Sequence, residues 1–473
     1  MWHEIPCRCR VICNFAPHPK QFAVKKITWL LPMVVSTLFV NAQRKTDRKT
    51  LTNLQMHIAY LSSDKLEGRR TGAPGEKLAA DYISEQMRQI GLSPKGTADF
   101  LQSFTVKEGL EPAASCNFEL NHKLLEAGTH YIPLPFTATK SAKGEVLPQA
   151  NEPDNIWLIN VADIDSTKYK SRLELYRKET ATAAQSGATA VIFYNGGESS
   201  DLINSWLVQT AAGAIPAIWV DKDISKVLDD ENANSFLIQL HTELKPVKRT
   251  GINVIGYIDN NAEHTIIVGA HYDHLGFGED NNGLTKGHVL YHGANDNASG
   301  IAAMLEIARQ LKASKLRHNN YLFVAFSGNE QGLSGSKYLA ANSPVDLSTV
   351  NYMINLDMIG RLNPANGIQI AGVGTSPTWT QLLNGAVKDT KVVYNTSGIG
   401  PSDHTAFYRK NIPVLFFCTD REDFHQPGDV ADKINYEGTL TVMKVVYDLI
   451  DKADNLQKLA FSATPDTLSG VTK

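Results

Sequence analysis

The sequence predicts an α/β fold, a sandwich of helices around a mostly parallel central sheet, with a smaller mixed α/β domain inserted into it. From Thr250 onward, strand-like runs alternate regularly with helical stretches, a pattern typical of βα units and a parallel sheet. Between Ala113 and Pro246 the strand-like runs are separated by loops, which indicates a separate domain. The length of 473 residues agrees with two or three domains.

The elements of the regular half follow from apolar runs and helical periodicity. The predicted strands are residues 252–258, 265–269, 321–326, 353–357 and 414–417. The predicted helices are residues 300–311, 334–341, 378–388 and 437–453. Upstream, residues 76–90 carry apolar side chains at helical spacing and are followed by Gly91, a residue typical of helix ends. A short strand is expected at residues 104–106.

The inserted segment contains its own strand-like runs and one helical stretch. We expect strands at residues 156–159, 190–194 and 215–220, and a helix at residues 169–185. The predicted division of the chain is 1–42 for an upstream segment with a signal peptide, 43–112 for the first part of the main domain, 113–247 for the insert, 248–455 for the main domain with the site, and 456–473 for a C-terminal tail.

The start of the chain has the pattern of a secretory signal peptide. The basic pair Lys25-Lys26 precedes an apolar run over residues 27–40, and the small residue Ala42 comes before a polar, basic segment. The run is shorter than the about 20 residues that a membrane-spanning helix needs. We therefore expect cleavage after Ala42, no stable membrane span afterwards, and a secreted or periplasmic protein; a buried core helix is the alternative.

Composition excludes several classes of partner and scaffold. The 46 basic and 49 acidic side chains give a formal charge of −3, and no long basic run is present, so nucleic acid is not an expected partner. Only Cys116 and Cys418 of the five cysteines would remain after cleavage. Two cysteines so far apart do not form a disulfide scaffold. The sequence does not predict an oligomeric state.

Five side chains of metal-binding type lie in five separate motifs. They are His271, Asp296, Glu330, Asp357 and His425. Four of the five follow predicted strands, and ligands gather at the carboxyl ends of strands in open α/β sheets. Two imidazoles and three carboxylates suit two zinc ions per chain, bridged by one carboxylate and one water. Asp296 is the best candidate for the bridge, and Asp273 is placed to orient the ring of His271.

The motifs around these residues resemble the co-catalytic zinc aminopeptidases of peptidase family M28. The matching stretches are residues 270–276 (AHYDHLG), 293–300, 326–336, 354–361 and 402–404, with a similar lead-in at residues 66–76. The resemblance implies that His271, Asp296 and Asp357 bind one zinc ion and that Asp296, Glu330 and His425 bind the other. Residues 187–192 and 215–217 resemble a protease-associated domain, which many members carry at the position of the insert.

One position departs from the family pattern. Where the family has a glutamate that takes the proton of the bridging water, this chain has Asn329. An amide cannot accept a proton near neutral pH, and general-base catalysis contributes about 10²–10⁴-fold. The catalytic position is therefore substituted, and His274, Asp403 and His404 are the candidates for a replacement base.

Three functions remain open at this point. The leading expectation is an exported metallo-aminopeptidase that acts on peptides through a water activated by two zinc ions, with activity reduced by Asn329. The second is a weak or inactive relative that keeps its metals and binds peptides or proteins. The third is an acyl transfer of the glutaminyl cyclase kind, which also needs an acidic group at the Asn329 position.

Overall fold

The structure is a computed structural model, and it describes residues 30–148, 150–195, 211–230, 232–280, 282–285, 287–387 and 390–465. The chain divides into two compact units, residues 1–52 and 53–473, and apart from residues 30–52 of the first helix the features below belong to the second unit. The basic pair of the predicted signal peptide, Lys25-Lys26, lies outside the described residues, whereas most of its apolar run lies in the first helix, Leu30–Leu61. The signal peptide stays a prediction. Within the described ranges, no helix combines the length and the apolar character needed to cross a bilayer.

The helices of the described residues are α1 (Leu30–Leu61), α2 (Pro74–Ile90), α3 (Arg172–Gln185), α4 (Lys222–Leu228), α5 (Ser299–Ala313), α6 (Ser334–Ala341), α7 (Trp379–Ala386), α8 (His404–Tyr408) and α9 (Tyr436–Ala453). The strands are β1 (Ser93–Pro94), β2 (Leu101–Pro112), β3 (Asn117–Leu120), β4 (Lys123–Leu125), β5 (Tyr131–Pro133), β6 (Lys140–Val146), β7 (Ile156–Asn160), β8 (Ala190–Tyr194), β9 (Ala217–Val220), β10 (Phe236–Thr242), β11 (Leu244–Ile258), β12 (His264–His271), β13 (Asn319–Phe326), β14 (Val350–Leu356), β15 (Ile368–Ala371), β16 (Val392–Asn395) and β17 (Val414–Cys418).

The central sheet confirms the predicted fold class. Its strands lie in the order β1-β11-β13-β12-β14-β17-β15-β16, with β2 paired to β11. The strands β13, β12, β14 and β17 at its centre are parallel, whereas β11 and β15 join this centre in antiparallel fashion on either side. The carboxyl ends of four neighbouring strands therefore meet at one edge of the sheet.

The central strands are apolar because helices and loops bury both of their faces. Every residue of β13 and of β14 is buried, which explains why most of their side chains are apolar on both faces. Leu322, Val324 and Phe326 of β13 pack with Leu339 of α6 in one cluster. Each such side chain contributes about 1.5–3 kcal/mol through burial. This rigid core holds the strand ends in place.

The segment predicted as an insert contains two four-stranded sheets. One has the order β4-β3-β10-β6 and the other β5-β9-β8-β7. Phe118 and Leu240 of the first sheet and Ile192 and Ile218 of the second belong to one buried cluster, so the two sheets share a core. The strands β2 and β11 carry the chain into and out of this segment as an antiparallel ribbon. Its relation to protease-associated domains stays a prediction.

The strands β2 and β11 and the helix α3 differ from their expected bounds. The strand expected at residues 104–106 extends over Leu101–Pro112, because pairing with β11 continues beyond the residues that alternate in polarity. The helix expected from Tyr169 begins at Arg172. Ser171 caps it, since its side chain accepts a hydrogen bond from the backbone N–H of Glu174.

Candidate metal centre

The five ligand candidates lie at the carboxyl edge of the central sheet. His271 is the last residue of β12, Asp357 directly follows β14, and Glu330 lies in the loop after β13. His425 lies in the loop after β17, and Asp296 lies in the turn Ala294–Ala298 that leads into α5. Since β13, β12, β14 and β17 are adjacent and parallel, these loops converge.

The first group of side chains surrounds the outer nitrogen of His271. Its Nε2 atom lies 3.3 Å from Oδ1 of Asp296 and 3.3 Å from Oδ1 of Asp357. The ring is 1% exposed, and both carboxylates are buried. Two carboxylate oxygens therefore lie within 3.3 Å of one imidazole nitrogen.

The second group surrounds the outer nitrogen of His425. Its Nε2 atom lies 3.5 Å from Oδ2 of Asp296 and 3.2 Å from Oε2 of Glu330. Asp296 belongs to both groups, with Oδ1 facing one imidazole and Oδ2 facing the other. A bridging carboxylate needs this arrangement, because each of its oxygens has to serve a different ion.

The spacing of the donor atoms fits zinc. Ligands on a tetrahedral zinc ion at about 2.0–2.1 Å are separated from each other by about 3.3 Å. The separations around His271 and His425 range from 3.2 to 3.5 Å. Among the described residues, the buried Oδ2 atom of Asp296 has no hydrogen-bond partner. A buried carboxylate oxygen without a partner is costly unless a cation binds it, so the residues fit a two-zinc centre.

The ring of His271 is oriented by contacts between its Nδ1 atom and the following loop. Its Nδ1 atom lies 3.1 Å from the backbone carbonyl oxygen of Asp273 and 3.6 Å from the Oδ1 atom of that residue. The Asp273 carboxylate also accepts hydrogen bonds from the backbone N–H groups of Asn329 and Glu330, at 3.1 Å each. The sequence predicted an orienting role for this side chain. In the structure, the backbone carbonyl of Asp273 is the nearer partner of the ring, and its carboxylate ties the loop after β13 to the loop after β12.

Two further contacts orient the remaining ligand candidates. The Nδ1 atom of His425 lies 2.8 Å from the backbone carbonyl oxygen of Asn282. The hydroxyl of Ser402 donates to Oδ2 of Asp357 at 2.7 Å and accepts from the side-chain amide of Asn355 at 2.8 Å. Such contacts fix the ring tautomer and the carboxylate orientation before an ion binds.

The turn that carries Asp296 depends on a residue that the sequence did not single out. The carboxylate of Asp429 accepts hydrogen bonds from the backbone N–H groups of Asn295, at 2.9 and 3.0 Å, and of Asp296, at 3.0 Å. Arg361 pairs with Asp429 at 3.5 Å. The available signal was its position four residues after His425, in the same loop.

His274 is a sixth polar side chain at the centre. Its Nδ1 atom lies 3.7 Å from Oε1 of Glu330 and 3.8 Å from Oδ2 of Asp296. The ring is buried, and neither nitrogen has a hydrogen-bond partner among the described residues. The structure therefore places this residue, considered above as a replacement base, beside Glu330 and Asp296.

The ionisation of the second group follows from its geometry. Burial works to lower the pKa of His425, but Glu330 and Asp296 raise it to about 8. Burial works to raise the pKa of Glu330, but His274 and His425 hold that pKa well below its usual range. Without metal, the imidazoles and carboxylates pair as opposite charges, so zinc has to displace protons when it binds.

The centre opens into a cavity of about 190 Å³. Besides the five ligand candidates and Asn329, its wall contains Met358, Pro401, Phe416, Cys418, Arg421 and Phe424. The volume is below the about 300–1,000 Å³ of sites for drug-sized ligands. The cavity therefore suits one side chain next to the ions better than an extended chain.

Asn329 lines this cavity, but its amide nitrogen points away to Asp403. The Nδ2 atom donates to Oδ2 of Asp403 at 2.9 Å. Burial raises the pKa of Asp403 to about 6, opposed in part by the charge of His271 and by hydrogen bonds from Ser336 and Asn329. His404 is buried against the ring of Phe416, and burial lowers its pKa to about 4. Neither residue belongs to the cavity wall.

Removing the Ser402 hydroxyl should weaken zinc binding. In Ser402→Ala, Asp357 loses the donor that fixes its orientation, and losses of this kind reduce metal affinity by about 10–100-fold. Competition with a fluorescent zinc chelator measures the change. Ser402→Thr keeps a hydroxyl and is the matched control, and equal affinity in wild type and Ser402→Ala would show that the contact is dispensable.

Known proteins share this sequence pattern and fold. The profile of "Peptidase family M28" matches residues 253–450. Aminopeptidase YwaD of Bacillus subtilis is 27% identical over 423 residues, which cover 82% of this chain and 83% of that protein. A probable leucine aminopeptidase of Arthroderma otae is 26% identical over 258 residues, 51% of this chain and 67% of that protein.

The solved structure of BSAP, a zinc aminopeptidase from Bacillus subtilis, has a similar fold. It covers 87% of this chain and 98% of its own, with 23% identity and a TM-score of 0.52. The matched profile spans the central strands and the loops that carry all five ligand candidates. Residues 253–450 of this chain therefore match peptidase family M28.

Proposed function

We propose that this protein is an exported, zinc-dependent aminopeptidase that uses two zinc ions to remove N-terminal residues from peptides. One observation carries the proposal. Asp296 lies between two imidazole–carboxylate groups whose donor atoms are spaced as zinc ligands are. The names of the similar proteins, which are aminopeptidases, support the same activity. Export rests on the signal-like pattern before Gln43.

The ligand candidates divide into two sets with one shared member. His271 and Asp357 would hold one ion, Glu330 and His425 would hold the other, and Asp296 would bridge them. When bound, two zinc ions lower the pKa of a shared water and polarise a peptide carbonyl. The cavity beside them has room for the side chain of the N-terminal residue.

Asn329 limits what this chain can do with that water. Since Nδ2 donates to Asp403, Oδ1 is the amide atom left to accept a hydrogen bond from the cavity. An amide oxygen can orient a water in this way, but it cannot take the proton. The contribution of general-base catalysis, about 10²–10⁴-fold in rate, is therefore lost. We therefore expect slow turnover for a family member with its metals bound.

The substitution also favours an alternative, a relative that binds peptides and no longer cleaves them. The test is incubation of the zinc-loaded chain with a mixed peptide library, followed by mass spectrometry of the products. We expect single residues to be released from free N-termini, no release from N-acetylated copies, and complete loss in a chelator. Peptide binding without release would support the alternative, and pyroglutamate as the product would indicate cyclisation.

Asp403 should affect the stability of the metal-free chain in a pH-dependent way. Its pKa is raised from 3.8 to about 6 in the fold, so the folded state holds the proton more tightly than the unfolded state does. Stability therefore falls as the pH rises from about 4 to about 6. The shift of about two units corresponds to a loss on the order of 3 kcal/mol.

In Asp403→Asn this loss should be absent, because an amide does not titrate. Urea unfolding of the two metal-free chains at pH 4 and pH 7 measures the effect. Between pH 4 and pH 7, the free energy of unfolding of the variant should rise relative to that of wild type. If the difference between the two free energies is the same at both pH values, the assignment is wrong. Turnover provides a second result. Since Asp403 does not line the cavity, turnover in Asp403→Asn should fall far less than it would on removal of a general base.

A further inference from the structure

Arg421 is a cation at the wall of the cavity that contains the five ligand candidates and several apolar side chains. It is exposed and lies in the loop between β17 and His425. Among the described residues of the cavity wall, it carries the permanent positive charge, whereas Asp296, Glu330 and Asp357 carry negative charges. Two zinc ions would satisfy those carboxylates, which leaves the guanidinium available to another anion.

The other arginines near the centre are already engaged. Arg69 is buried and donates to the backbone carbonyl oxygens of four residues. Arg361 pairs with Asp423 at 3.3 Å and with Asp429 at 3.5 Å. Arg421, in contrast, takes part in none of the ion pairs among the described residues.

The surroundings of Arg421 keep it charged and close to the centre. Partial burial works to lower its pKa, but nearby Cys418 and the carboxylates of Asp357 and Asp296 raise that pKa above its usual value. The walls beside it are apolar: Met358, Phe416 and Cys418 form one buried cluster, with Phe424 packed against them. A ligand with an aliphatic stem and a terminal carboxylate matches both parts of the cavity.

We propose that Arg421 binds a substrate carboxylate and thereby sets the substrate class of this site. The carboxylate can belong to an acidic N-terminal residue, whose methylene groups would lie against Met358 and Phe424. It can also be the C-terminal carboxylate of a dipeptide. Guanidinium–carboxylate pairs form two parallel hydrogen bonds and are among the strong contacts of proteins. This inference rests on the proposed function for the reaction, but its binding test does not.

Equilibrium binding tests the proposal without turnover. Calorimetry with the zinc-loaded chain compares glutamic acid α-amide with glutamine α-amide, which differ only in the side-chain charge. A second comparison, leucylglycine against leucylglycine amide, tests the C-terminal carboxylate in the same way. We expect the acid to bind about tenfold more tightly than the amide in at least one comparison, because hydrogen bonds between ionised groups are stronger than those between neutral groups.

Variants assign the preference to Arg421. Arg421→Met should bring acid and amide to equal affinity, and Arg421→Lys should keep part of the preference. Arg409→Met, which removes an exposed arginine outside the cavity, is the matched control and should leave the preference for the acid unchanged. Equal affinities in wild type in both comparisons, or a preference that survives Arg421→Met, would overturn the proposal.

Kinetics separate this proposal from the proposed function. With glutamyl and glutaminyl anilides, kcat/KM should favour the glutamyl substrate if the side-chain comparison shows the preference, and Arg421→Met should remove that bias. A chain that binds the acid through Arg421 but releases nothing would contradict the aminopeptidase and leave the binding role of Arg421 intact. A purely structural role would instead reduce acid and amide binding equally.

Discussion

Asp296→Asn should abolish two-zinc binding and reduce kcat/KM by at least about 10³-fold. The amide removes the charge and one of the two oxygens that face His271 and His425. A metal ion supplies several kcal/mol of transition-state stabilisation, and each 1.36 kcal/mol is tenfold in rate. Zinc content per chain, measured by mass spectrometry of elements after dialysis, should fall from two to one or fewer.

The same variant should lose the stability that zinc confers. A ligand present at 100 times its dissociation constant stabilises the folded chain by about 2.7 kcal/mol. Wild type should therefore melt at a higher temperature with zinc than with chelator, and Asp296→Asn should show little difference. Asp81→Asn, which removes an exposed acid paired with Lys77, is the control for loss of charge. Full zinc retention in Asp296→Asn would contradict the bridging role.

Asn329→Glu should raise kcat by about 10²–10⁴-fold, because it restores a group able to take a proton from the water. The neighbouring Asp403 carboxylate limits the expected rise in kcat. Asn329 donates to Asp403 at 2.9 Å, so a glutamate would bring a second carboxylate close to a buried one. Like charges at such a distance compete for one proton. The double variant Asn329→Glu/Asp403→Asn removes that competition and should be faster than the single variant.

Asn329→Gln is the matched control for Asn329→Glu. It has the same length as the glutamate and cannot act as a base, so it should stay at the wild-type rate or below. Rates have to be compared at equal zinc occupancy, since the neighbouring residue Glu330 is a ligand candidate. If neither glutamate variant gains activity, a base other than the residue at this position operates, and His274 is then the first residue to test.

The central sheet could be predicted because its strands are buried on both faces. Strands β12, β13 and β14 are mostly apolar, and their ends differ from the predicted ends by only a few residues. The length of the β2–β11 ribbon was underestimated, because residues 107–112 lack alternating polarity. Pairing between distant segments, and not local propensity, determines its length.

The positions of the ligand candidates could likewise be predicted, since residues at the carboxyl ends of neighbouring parallel strands have to converge. The contacts that loops create could not. Asp429 supports the turn of Asp296, and Asp403 holds the amide of Asn329 across 74 positions of sequence. Arg421 lines the cavity only because the loop after β17 turns back toward Asp357. Loop conformations of this kind are set by tertiary contacts.

Activity as a function of bound zinc tests the central claim most directly. The chain is stripped with a chelator, and zinc is returned in steps while the release of N-terminal residues and the zinc bound per chain are measured. The two-zinc centre predicts that release appears with bound zinc and reaches its plateau at two ions per chain. A plateau at one ion, release from the stripped chain, or no release with both ions bound would contradict it.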